Sequence, residues 1–248
     1  MTKPLTLNVK NILSFFDHIS PTTNGHVSAV TGVVGEDLGI ALLQHCLRYQ
    51  HGMESRVITE GGKPTTPTKG TRKGHRLDRW LLADAVGDNG RTVYQVEVKN
   101  WSATAIGGKE LRLDAAESAV RSFRKARWLS HWDSDQGRFR YEYVGKVLER
   151  MKLPTHMDDD SDPCRLISPP FQQTEVVPMV CFWWATHPDG DDESLFRYPL
   201  PGPVNGFKAF WVFSMSNYLR SIQAMEIELD MPAAVQRIEW LNKLFKFC

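Results

Sequence analysis

Tyr94-Gln95-Val96-Glu97-Val98-Lys99 is the stretch that decides the fold. In a strand, alternate side chains share a face. Tyr94, Val96 and Val98 therefore turn to one side, and Gln95, Glu97 and Lys99 to the other. Side chains two apart on a strand stand about 7 Å from each other. At that spacing a carboxylate can hold a divalent cation while the neighbouring ammonium reaches an oxyanion or an attacking water. A further carboxylate on an adjacent strand would complete the equipment for metal-assisted phosphodiester cleavage.

Working outward, residues 76–86 and 91–99 read as two strands joined at Gly87-Asp88-Asn89-Gly90, a hairpin turn signal. Upstream, 31–50 reads as a helix, because Ile40, Leu43 and Leu47 recur at helical spacing and Gly52 supplies a stop. Residues 54–60 form a further strand, and 61–74 a loop rich in Gly, Pro, Thr and Lys. Downstream, Gly107-Gly108 breaks the chain before a long helix over 109–129. Residues 141–151 look helical and 154–170 irregular. The apolar run 176–186 is long enough for a strand buried on both faces. A strand over 207–213 leads into a helix over 214–223. Pro232, a favoured first-turn residue, opens a last helix with Val235, Ile238, Leu241 and Phe245 on one stripe. The order helix, strand, strand, strand, helix, strand predicts an α/β protein, a mixed central sheet flanked by helices. We expect a single domain, with a core over 31–129 and 176–224, an insertion over 135–175 and a C-terminal helix over 232–247.

Composition narrows the function classes. The 248 residues carry 42% hydrophobic and 10% aromatic residues, enough to fill a core. No apolar run reaches the length of a spanning helix, so no membrane partner is expected. Met1-Thr2-Lys3-Pro4-Leu5 lacks a secretory apolar core. Cys46, Cys164, Cys181 and Cys248 are scattered, which disfavours a zinc site and suits reduced thiols in a cytoplasmic protein.

Two more acids bear on Glu97. Asp78 opens the preceding strand, and an antiparallel partner about 4.8 Å away would bring it to Glu97. Two carboxylates that close repel unless a cation sits between them. A surface pairing of Asp78 with Arg76 or Arg79 is the plain alternative. At about 100° per residue, Glu36 falls on the stripe of Ile40, Leu43 and Leu47, whereas Asp37, Ala41, Gln44 and Arg48 form a more polar band. A carboxylate facing the core needs a partner, and a metal shared with Asp78 and Glu97 would provide one. Stabilisation of Glu36 by the helix dipole is the alternative.

The series Glu36 in an early helix, then Asp78, then Glu97-Val98-Lys99 resembles the PD-(D/E)XK nuclease superfamily, which has the restriction-endonuclease-like fold. The likeness runs through residues 31–129 in order and spacing, and 176–186 fits that family's next core strand. It implies an αβββαβ core with C-terminal helical additions. It implies that Asp78, Glu97 and Glu36 bind Mg²⁺, with Mn²⁺ able to substitute, and that Lys99 orients or activates the hydrolytic water. Leu77 departs from the family's proline before the first acid. The helix after the motif shows no glutamine signature of the exonuclease-like branches, so endonucleolytic cutting of DNA is the expectation. A restriction or anti-phage defence setting follows by the same analogy. The alternative is an inactive nucleic-acid-binding or assembly subunit with the same fold.

Basic residues flank the motif. Lys63, Lys69, Arg72, Lys73, Arg76 and Arg79 face only Asp78 in opposition, a composition suited to gripping a phosphate backbone. Lys109 and Arg112 begin a second cationic segment. Solvated surface is the alternative for both. No base-reading module is visible. The acidic loops at 158–162 and 189–193 lack calcium-loop spacing. His187, Trp183 and Trp184 are expected to be structural. The closing segment 240–247 is apolar enough to pack on a second copy or on a partner protein such as a helicase or sensor subunit.

Overall fold

A computed structural model describes residues 4–17, 24–58, 79–85, 90–99, 116, 118–119, 122–123, 125–126, 132–133, 138–139, 151, 175–183, 185–187, 192–222 and 224–245. Its elements are β1 (Leu5–Asn8), α1 (Val9–Asp17), α2 (Asn24–His51), β2 (Met53–Val57), β3 (Arg79–Ala85) and β4 (Arg91–Lys99). They continue as β5 (Trp132–Asp133), β6 (Arg138–Phe139), β7 (Glu175–Phe182), β8 (Leu195–Val204) and β9 (Phe207–Ser214). The chain ends with α3 (Met215–Ser221), β10 (Glu226–Leu229) and α4 (Pro232–Phe245). The architecture is mixed α/β: a six-stranded mixed sheet flanked by helices, in the order β2-β3-β4-β7-β9-β8. Of the expected long helix over 109–129, the described residues 118, 119, 122, 123, 125 and 126 are helical. The segments 141–150 and 154–170 lie outside the described residues.

The middle of the sheet is β4. It pairs antiparallel with β3, Arg79 facing Val96, and parallel with β7, Glu97 facing Val180. Its residues are buried on both faces, and its alternation is the expected one. Tyr94, Val96 and Val98 join Leu81, Ala83, Val177 and Met179 in a core beneath α2. On the reverse face Val93 packs with Trp80, Leu82, Val180, Phe182 and the aromatics of β8 and β9 in a second core. As expected for a strand buried on both sides, β7 divides its residues between these two cores.

Helix α2 lies hard against β4. A Cβ added at Gly39 would stand 2.7 Å from Val98 Cγ1 and 3.2 Å from its Cγ2. Only a residue without a side chain allows that approach. From Asp37 to Leu43 every residue of α2 is buried, because α4 covers the side that the sheet does not. This corrects the reading of Glu36, which is exposed rather than part of the apolar stripe. The buried acid is its neighbour Asp37. Its Oδ2 accepts a hydrogen bond of 2.6 Å from the Ala234 amide in the first turn of α4. Its Oδ1 lies 3.4 Å from Arg79 Nη2 at the head of β3. A carboxylate satisfies the orphan N–H groups of a helix N-terminus and complements its dipole. Asp37 does so from another element, tying α2, β3 and α4 together.

Six elements escaped the sequence reading, two of them the two-residue strands β5 and β6, which pair with each other. The pair β1 and β10 forms a small separate sheet, Leu5 facing Leu229, from runs too short to stand out. Helix α1 follows β1 directly. The longest of the six, β8, contains Pro199, Pro201 and Pro203, which argue against a strand. They are tolerated because β8 is an edge with β9 as its sole neighbour, and its pairing is irregular between Pro199 and Val204. No helix among the described residues is long and apolar enough to cross a membrane. Cys46 and Cys181 are buried and form no disulfide, and burial pushes the Cys46 thiol up to about 12.

Two tests follow from this packing. Gly39→Ala gains helix propensity of about 1 kcal/mol, but the added methyl meets a stiff β-branched side chain and overpacking costs about 1–3 kcal/mol. The variant is expected to unfold at lower urea, and combining it with Val98→Ala should cost less than the sum of the two changes. Strict additivity would show that the contact is not tight. The second test concerns His45 of α2, whose Nδ1 hydrogen-bonds the Tyr218 hydroxyl of α3. Burial, then Arg48, hold its imidazole below the ordinary value. The unfolded chain therefore binds the proton more readily, so this contribution is complete above the ordinary pKa of 6.5 and is lost as pH falls below it. Urea midpoints taken from pH 7.5 to 5 should fall less steeply in His45→Gln than in the native chain.

Candidate active site

The site is built by period two on β4. Gln95 and Glu97 are buried polar residues, at 0% and 2% exposure, on the face away from α2. Lys99 follows at the strand end with its side chain 27% exposed. Its Nζ donates to Glu97 Oε1 at 2.5 Å. A carboxylate removed from water requires such a partner, and a charge-assisted hydrogen bond is the strong form of it. The ammonium stays at the solvent margin while the carboxylate sits inside. The pair thus spans the boundary between core and water.

The neighbouring strands set the walls. Across the parallel ladder, Val180 stands beside Glu97 and Phe182 beside Lys99. Across the antiparallel ladder, Trp80 stands beside Gln95. The Trp80 indole Nε1 is buried with no hydrogen-bond partner. Its N–H is an unused donor on the same face as Gln95 and Glu97, next to an otherwise apolar wall of Val180 and Phe182. Beyond the end of β7, His187 stacks on Tyr198 with ring centroids 6.2 Å apart and meets Phe196 edge-on. That is the structural role expected of it. Trp183 is buried in the core beneath α2, also as expected, and Trp184 lies outside the described residues.

The structure brings together Glu97 and Lys99, as expected from their spacing. It places Glu36 in solvent on α2, the helix that covers the opposite face. Arg79, expected to grip a nucleic-acid backbone, packs on the α2 face, with its side chain 19% exposed and paired to Asp37. Asp78, Lys63, Lys69, Arg72, Lys73, Arg76, Lys109 and Arg112 lie outside the described residues. What is shown at the head of β3 is that the strand begins at Arg79 opposite Val96, one position along from Glu97.

Among the described residues no group of three metal-ligating side chains occurs. Glu97 alone supplies a hard oxygen donor of the kind Mg²⁺ takes. It is also the one buried carboxylate on this face of the sheet among the described residues. Sequence reasoning missed Asp37 and Trp80. For Asp37 the available signal was Pro232, which marks a helix start whose bare amides need an acceptor. For Trp80 there was none, since its register against Gln95 is a property of the ladder. No protein-family model, curated protein or solved structure matches this chain.

The Glu97–Lys99 contact is measurable without any substrate. Lys99→Met, Glu97→Gln and the double variant form a cycle in which each single change strands one charge. We expect a coupling of about 1–3 kcal/mol in urea unfolding. Independent effects would mean that the two groups do not stabilise each other.

Proposed function

We propose that this chain is a metal-dependent nuclease of the PD-(D/E)XK type, hydrolysing DNA phosphodiester bonds endonucleolytically. The observation that carries the reading is a buried carboxylate, Glu97, bonded to the Lys99 ammonium at the end of the central strand. That strand is the third of an antiparallel run, β2-β3-β4, and pairs in parallel with the strand beyond the crossover, β7. This helix, three-strand, parallel-strand order supports the restriction-endonuclease-like fold. A core whose only task was burial would not need an acid and an amine two residues apart there.

Glu97, with Asp78, would hold Mg²⁺. The bound ion supplies positive charge against the phosphodiester and lowers the pKa of its water. Glu97 contributes a donor fixed by the strand on both sides, so little reorganisation is needed. Lys99, at the rim, adds positive charge where negative charge develops in the transition state and can orient the water it shares with Glu97. The apolar wall of Val180 and Phe182 raises the strength of these interactions by excluding solvent. The basic residues of 63–76 would supply sequence-independent attraction to a phosphate backbone. Glu36 has no place in the reading where the structure sets it, exposed on α2. A cytoplasmic restriction or anti-phage role accords with this chemistry.

The test is cleavage of supercoiled plasmid by the full chain with Mg²⁺. Glu97→Ala and Lys99→Ala should each lower the rate about a hundredfold or more, and EDTA should abolish cutting. Activity indifferent to both substitutions and to EDTA would sink the proposal. Retained plasmid binding without any cutting would leave a nucleic-acid-binding subunit.

A further inference from the structure

The face of the molecule opposite Glu97 carries a groove unrelated to that chemistry. Three adjoining hollows of about 750, 190 and 670 Å³ run between α2 on one side and β10 and α4 on the other. The first two share Gln44, Ser55 and Asp230. The second and third share His45, Arg48, Glu228 and Asp230. The first two run along β2, which lines them with residues 54–57, and the third continues past its start along β10.

Among the described residues no strand pairs with that edge. β2 is the end strand of the sheet. The Ile58 amide donates to the Trp80 carbonyl at 3.0 Å. Antiparallel alternation then directs the backbone groups of 54 and 56 inward to β3 and those of 53, 55 and 57 outward. The Gln44 amide confirms the direction by donating to the outward Ser55 carbonyl at 3.0 Å. The Ser55 hydroxyl, which borders two of the hollows, is buried with no hydrogen-bond partner. It is an unsatisfied group of the sort a bound segment would complete.

Charge selects the occupant. Glu226 and Glu228 project from the exposed face of β10, and Asp230 follows at the same period. Glu239 extends the acidic wall along α4. None of the four forms an ion pair among the described residues, whereas Arg48 and Arg79 are already engaged by Glu54 and Asp37. Among the described residues Arg56 is the remaining lining cation, against four carboxylates that form no ion pair. Such a groove repels phosphate and attracts ammonium and guanidinium groups.

We infer that this groove docks an extended, Lys/Arg-rich segment of a partner protein, which adds as a strand to the outer edge of β2. Main-chain hydrogen bonds to residues 53–57 give the register, and alternate basic side chains reach Glu226, Glu228, Asp230 and Glu239.

The experiment uses the full chain and a fluorescein-labelled peptide of alternating Lys and Val, followed by anisotropy. Binding is expected at low salt and should weaken steeply as salt rises. Glu226→Lys with Glu228→Lys should weaken it about tenfold or more, and Glu239→Lys, on an exposed helix surface, several-fold. Circular dichroism confirms that each variant is folded. An analogue N-methylated at alternate residues keeps every charge but cannot pair with the edge, so it should lose most of the affinity. Equal binding of the methylated peptide, or of the peptide to the charge variants, overturns the inference. So does a concentration-dependent dimer dissolved by the same substitutions, which would assign the groove to a second copy. Competition by duplex DNA that is lost in these variants overturns it too. Cleavage is not read, so the outcome stands apart from the nuclease proposal.

Discussion

Everything in this molecule depends on β4 being enclosed on four sides. Strands β3 and β7 satisfy its backbone, α2 covers one face, and Val93, Gln95 and Glu97 are buried on the other. A strand so placed cannot carry a polar side chain without a reason, because each buried polar group needs a partner. Glu97 is retained there with an ammonium on its oxygen. The close approach of α2 at Gly39 fixes Val98 and, through it, the pitch of the strand on which Glu97 and Lys99 alternate. The two faces are thus coupled by one backbone: packing on the α2 side determines where the charged pair on the reverse side stands.

Much of this was legible in the sequence because it is periodic. Glu97 and Lys99 fall on one face by a count of two, and the hairpin, α2 and β7 announce themselves by turn residues and apolar spacing. The reading faltered where the cause was not local. Glu36 lies at the angle of an apolar stripe, yet α2 is covered by α4 as well as by the sheet, so the buried band is wider and displaced to Asp37. No pattern within 31–50 contains that fact, since it depends on a helix nearly two hundred positions away. The prolines of β8 hid a strand for the opposite reason: a local rule was applied to an edge, where its physical basis lapses.

Asp37 also shows why a buried acid in an early helix is not sufficient to mark catalysis. Its two oxygens are engaged by a helix N-terminus and by Arg79, which makes it a fastener of three elements. Arg79 is correspondingly held against α2. The distinction between the two acids rests on their partners: Asp37 faces a backbone amide and an arginine inside the fold, whereas Glu97 faces an amine that reaches solvent.

The prolines at 199, 201 and 203 have a last consequence. Missing amide hydrogens leave that margin of the sheet a poor template for an incoming chain. The opposite margin, β2, carries no proline and turns the backbone groups of 53, 55 and 57 outward, the Ser55 carbonyl being met by Gln44. Two molecules can therefore meet margin to margin in one way only, like against like, and such a contact closes on itself after two. Head-to-tail stacking, the route to fibres, needs two competent margins. In a crowded solution this asymmetry guards the protein against polymerising through its own sheet.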